Sequence, residues 1–162
     1  MKNRLEIRDV IQAYHNIREI IDLLIERKGI KFEISDDAPS TFKGMKEFHE
    51  NNGYFLVYDG GDHGFLGESY NIKFRALHDA MHLENDLSFS FEHEKQLSMV
   101  TQWEFMQIAY RELNKTQWET WCIGQVIQAE IRGQIEYFEA NNKYVDDQKA
   151  FILDYLQVEE VA

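Results

Sequence analysis

The chain carries one proline, Pro39, in 162 residues. Proline removes a backbone donor and clashes with the preceding helical turn, so its rarity leaves nearly all of the sequence open to long helices. The apolar spacing uses that freedom. From Arg8 to Lys28 the residues Val10, Ile11, Tyr14, Ile17, Ile20, Ile21, Leu24 and Ile25 recur at three- and four-residue intervals with charges on the other side. This predicts a long amphipathic helix. Gly29 after Glu26-Arg27-Lys28 matches the basic last turn and glycine stop of a helix C-terminus.

The next segment alternates over too few residues for more than a short strand, Lys31 to Ile34, followed by a turn from Ser35 to Ser40. Tyr54 to Tyr58 is an aromatic and β-branched run that suits a buried partner strand. Between them, Met45 to Asn52 reads as a short helix ended by Gly53, and the glycine-rich stretch Asp59 to Gly64 reads as a loop. After Asn71 the pattern is helical: Ile72 to Glu84, Glu92 to Leu113, Trp118 to Asn141 and Asp147 to Leu156. Caps are available at Ser90, at Asp146 and in the box Thr116-Gln117-Trp118-Glu119. The expectation is one mainly α domain over 1–162, a helical bundle. Residues 1–70 form its N-terminal helix and small two-stranded β element, as a hairpin or other pairing, and 71–162 its helical core.

Hydrophobic residues make up 44% and aromatics 14% of the chain, enough to build a core and too many for a disordered acidic tail. Seventeen Lys and Arg against 29 Asp and Glu give a formal charge of −12, which repels phosphate backbones and anionic membranes. Nucleic acid and membrane are therefore not expected partners. A lone cysteine, Cys122, excludes an internal disulfide and a cysteine-rich zinc site, and its aromatic neighbours mark it as core. With no leader pattern in Met1 to Glu6 and no apolar run of membrane-spanning length, a soluble cytoplasmic protein is expected.

Chemistry concentrates at Leu77-His78-Asp79-Ala80-Met81-His82. On a helix His78 and His82 lie one above the other, the arrangement that lets two imidazoles grip one ion. The spacing is that of the zinc-binding H-E-x-x-H helix with aspartate for glutamate; Asp79, one methylene shorter, stands where the general base would. The bland reading packs one histidine against Phe74 or Leu77 and turns the other to water.

Carboxylates elsewhere bear on the choice. Glu130 and Gln134 continue the stripe Ile123, Ile127, Tyr137 and so occupy positions facing the interior. A buried acid costs several kcal/mol, on the order of a lost ion pair, unless partnered, and either a metal or an arginine such as Arg75 or Arg111 would serve. Glu92 and Glu94 follow His82 closely enough to fold back over it. First-turn acids also suit the helix dipole, which is the reading favoured for Glu92. Among the other histidines, His63 is a loop residue open to proton transfer or simple solvation. His93 is expected at the surface and His15 at the edge of the core. His49 before His78-Asp79 is similar to the H…HD…D order of HD-type phosphohydrolases, without the rest of that pattern.

Four segments together resemble a group of small functionally uncharacterised proteins of tailed bacteriophages and their hosts. They are Leu77 to His82, Leu87 to Glu94, Ala129 to Gln134 and Asp147-Gln148-Lys149-Ala150-Phe151. The resemblance covers the chain from Tyr70 onward. It implies a phage or prophage origin, hence a host-cell cytoplasm, and one site built from His78, Asp79, His82, Glu94, Glu130 and Gln134; it carries no activity.

The expected function is divalent-metal binding, with Zn, Mn or Fe held by His78, His82 and a carboxylate from Glu130 or Glu94. A hydrolase acting on a small molecule or peptide would use Asp79 on water and Gln134 to hold ligand or substrate. Two other readings stand beside it: an acidic inhibitor that mimics nucleic acid and targets a host protein, and a structural protein whose histidines only satisfy a core.

Overall fold

The computed structural model describes residues 4–158. Met1 to Asn3, part of the start read for a leader, and residues 159–162 lie outside the described residues. The first helix, α1, runs Ile7–Arg27, opened by a reciprocal capping box between Glu6 and Asp9. Its buried face is the expected one: Val10, Tyr14, Ile17, Ile20, Ile21 and Leu24 are each 1% exposed or less. Each such side chain contributes about 1.5–3 kcal/mol on burial. Ile11 departs from the pattern at 55% exposure and His15 is exposed, not at the edge of the core. Both sit on the solvent side of a stripe narrower than the sequence implied.

Two short strands follow, β1 (Phe32–Ile34) and β2 (Phe55–Val57), with α2 (Phe42–Asn52) between them. They pair in parallel, Phe32 opposite Phe55 and Ile34 opposite Val57. A hairpin is thereby excluded, since parallel strands need a crossover and α2 supplies it. Gly53 closes α2 in the left-handed region at φ +78°, where any Cβ would be strained.

Helix α3 spans Glu68–Asn85. It begins four residues before the expected start at Ile72, entered through Gly67 at φ +76° from a 3₁₀ turn at Gly64–Leu66. Leu77 and Met81 belong to the main core with α1, while Ile72, Ala76 and Ala80 pack with Met45 of α2 and with Phe55 and Val57 of β2. Two opposed faces of α3 are thus committed to apolar packing. The histidines occupy the remaining side.

Helix α4 (Phe91–Gln107) is capped by Ser90, whose hydroxyl accepts from the His93 amide, and runs into a π turn at Ile108–Glu112. Helix α5 (Gln117–Gln128) is capped by Thr116, passes through a second π turn at Ala129–Gly133 and continues as α6 (Gln134–Asn141). The predicted segments were uninterrupted α-helices; the structure inserts wider turns into both. Helix α7 (Gln148–Tyr155) is capped by Asp147, not Asp146: the Asp147 carboxylate accepts from the Ala150 amide at 3.0 Å. Helices α1, α3, α4 and α5 surround the main core, which contains Cys122 as expected.

Candidate metal centre

His78 and His82 lie one turn apart on α3, with their rings nearly perpendicular and their centroids 4.6 Å apart. Their Nε2 atoms are 3.1 Å from one another. Glu94, in the first turn of α4, spans the pair: Oε2 lies 2.9 Å from His78 Nε2 and Oε1 lies 2.9 Å from His82 Nε2. Two ligands at metal-bond length in a tetrahedral site stand about 3.3 Å apart. The observed spacings are close to that edge, and the three side chains form a group that can hold a metal ion.

The short α3–α4 connection creates this geometry. Asp86 closes α3 in the left-handed region at φ 51°. Leu87 then bonds His82 twice, its amide donating to the His82 carbonyl at 3.1 Å and its own carbonyl lying 2.7 Å from His82 Nδ1. A carbonyl only accepts, so Nδ1 carries a proton. In the neutral ring Nε2 is then a bare lone pair aimed at Glu94 and His78. His82 is fully buried, its ring enclosed by Phe89 and Phe42. His78 is less constrained: its buried Nδ1 meets no partner among the described residues.

Burial acts to raise the Glu94 carboxyl, but the hydrogen bonds and charges of His78 and His82 outweigh it and hold the group at about 2. His78 shows the complement. Burial would lower it, and Glu94 turns the balance so that it lies above its ordinary value. This mutual pull favours a positive charge on His78 beside the Glu94 carboxylate.

The cluster opens on a cavity of about 450 Å³ whose lining includes Asp79, Glu130 and Gln134. Five of the six residues singled out as one site therefore face one space, His78, Asp79, Glu94, Glu130 and Gln134, while His82 lies buried behind them; they divide into two groups. Glu130 is outside the ligand cluster. Its Oε1 is bonded by the Tyr14 hydroxyl and its Oε2 accepts from Gln134 Nε2 at 3.1 Å. Neither expected arginine partners it, since Arg75 donates instead to the Tyr58 and Gly60 carbonyls and Arg111 is exposed. Burial pushes Glu130 up to about 7 against those two hydrogen bonds, and pushes Tyr14 well above its ordinary range. Asp79 also rises to about 7, by burial first, with His78 opposing and Glu94 adding. It makes no hydrogen bond among the described residues.

The remaining candidates fall elsewhere. Glu92 is exposed in the first turn of α4, as the dipole reading has it. His93 is half-buried, with Ser88 bonded to its Nδ1 through both amide and hydroxyl. His49 stacks on Phe55 at 4.4 Å and takes no part in the His78 cluster, so an HD-type constellation is not assembled. His63 bonds Asn71 at 3.1 Å in place of being simply solvated. The sequence reading did not single out Tyr14, Asn71 or the Leu87 carbonyl. Tyr14 looks like any apolar-face aromatic, and a backbone carbonyl has no sequence signal at all.

No helix among the described residues is long and apolar enough to cross a membrane. Comparison of the chain with protein-family models, with curated proteins and with solved structures gives no match.

Proposed function

We propose that the protein binds one divalent transition-metal ion, Zn, Mn or Fe, through His78 Nε2, His82 Nε2 and Glu94, and uses it for hydrolysis. The observation that carries this reading is the convergence of acceptors. With His82 Nδ1 committed to the Leu87 carbonyl, a neutral His82 points its lone pair at a carboxylate oxygen 2.9 Å away and at a second imidazole nitrogen 3.1 Å away. Such an arrangement calls for a cation at its centre, a metal ion or a proton. Two imidazoles and one carboxylate leave coordination positions open on any of these metals.

A bound ion would supply Lewis acidity and lower the pKa of a water molecule to about 7. The chain's own contribution is to hold the proton and the substrate. Asp79, which makes no hydrogen bond among the described residues and faces the same cavity, takes the proton from the attacking water and returns it to the leaving group. Gln134, fixed by Glu130, orients substrate. The acidic-inhibitor reading draws only on the charge of −12 and has no use for a buried ligand set.

Elemental analysis of purified protein tests the metal. Wild type is expected to hold close to one ion per chain, and His82→Ala and Glu94→Gln to hold none. Asp79→Asn should keep the metal and lose turnover of ester and amide reporter substrates. A metal-free wild type that stays metal-free after incubation with each of the three ions would remove the reading.

A further inference from the structure

The hydrogen-bonding character of the cavity specifies a ligand. Each of its side-chain amides makes at least one hydrogen bond within the protein. Gln134 Nε2 donates to Glu130 at 3.1 Å and approaches Gln148 Oε1 at 3.4 Å. Gln148 Nε2 donates to the Asp62 carbonyl at 2.6 Å, and Asn71 Nδ2 faces His63. The one arginine in the lining, Arg75, directs both terminal nitrogens at loop carbonyls of Tyr58 and Gly60. Acceptors remain. The carboxylate of Asp79, the Gln134 carbonyl and the Asn71 carbonyl make no hydrogen bond among the described residues, and all three residues line the cavity.

Asp79 is the most telling of these, because its partly buried carboxylate lines the cavity and meets no donor among the described residues, so the N–H groups of a ligand can complete it. Aromatic rings form much of the remaining wall: Phe74 and Phe138, with Tyr58 and Tyr144 more than half exposed. Acceptors combined with aromatic faces suit an N–H-rich cation, which gains from both. A phosphate or carboxylate would face the carboxyl groups of Asp79, Glu94 and Glu130 in the same lining.

We propose that this cavity binds a small organic cation, an alkylguanidinium or alkylammonium compound, through Asp79, the Gln134 and Asn71 carbonyls and the aromatic wall. The inference deepens the metal-site reading by naming the class of substrate for the same cavity. It is separable from it, since none of these contacts is a metal ligand.

Calorimetric titration of the full chain with n-butylguanidinium, n-butylammonium, n-butanol and n-butyl phosphate tests it, with and without added Zn²⁺. Either or both cations should bind, with the alcohol and the phosphate at least about tenfold weaker. Asp79→Asn and Gln134→Leu should each weaken the cation by about tenfold or more. Because Gln134→Leu also removes a partner of Glu130, Asp79→Asn decides the matter if the leucine variant fails to fold. Equal binding of the alcohol or phosphate, no cation binding, or an unchanged affinity in Asp79→Asn overturns the proposal. Metal uptake without cation binding would defeat this inference and leave the metal reading intact. Asp79-dependent cation binding in a chain that takes up no metal would do the reverse.

Discussion

His82 and Leu87 are joined by two hydrogen bonds, amide to carbonyl at 3.1 Å and imidazole Nδ1 to carbonyl at 2.7 Å. The second fixes the tautomer of a buried ring and turns its other nitrogen toward Glu94, the role that outer partners of metal-binding histidines perform. Nitrogen-15 correlation spectra of the metal-free protein should therefore show the neutral form of His82 protonated at Nδ1. A neutral His82 protonated at Nε2 would contradict this arrangement.

Metal should stabilise the fold by mass action. At a free ion concentration about 100 times the dissociation constant the gain is about 2.7 kcal/mol. For a chain of this size that corresponds to a rise in Tm of about 5–10 °C. Differential scanning calorimetry with and without Zn²⁺ measures it. Glu94→Gln, which keeps the shape and removes the charge, should abolish the shift.

The metal-free protein should be most stable in mild acid. Glu94, held at about 2, contributes stability that is full above its ordinary value and is lost as pH falls toward 2. Glu130 and Asp79, raised to about 7, act in the opposite sense. Between their ordinary values and pH 7 the unfolded chain releases these protons while the folded chain keeps them, so stability falls as pH rises. His78, raised above its ordinary value, adds stability that is present in acid and is lost as pH rises through its folded value. Urea denaturation from pH 3 to 8 should show a maximum near pH 4–5 on this basis. Glu130→Gln should reduce the alkaline decline by about 2–3 kcal/mol. An unchanged slope in that variant would mean that Glu130 ionises normally.

Two helix glycines should respond differently to alanine. At Gly133, inside the second π turn, a Cβ would stand 2.9 Å from the Tyr155 ring, which has no flexible end to move aside. Gly133→Ala should cost about 1–3 kcal/mol through overpacking. At Gly124 the obstacle is the Met106 side chain, which can swing away, and alanine regains about 1 kcal/mol of helix propensity. Gly124→Ala should accordingly stay within about 1 kcal/mol of wild type. Chemical denaturation of both variants compares them directly.

Local chemistry carried much of the fold. The three- and four-residue spacing of Val10 to Leu24 and the stops at Gly29 and Gly53 act within a few residues of themselves, so they can be read along the chain. The pairing of His78 with His82 is local in the same way, being one helical turn. Other features depend on contacts between distant segments. The parallel sense of β1 and β2 follows from the crossover through α2, and the residues that meet the π turn at Ala129–Gly133, Tyr155 beside Gly133 and Tyr14 on Glu130, come from distant segments. The division of labour between the two acids was decided there too: the α3–α4 turn brings Glu94 onto the histidines, while α1 presents Tyr14 to Glu130. Periodicity can state that an acid faces inward, but which partner meets it there is a property of packing alone.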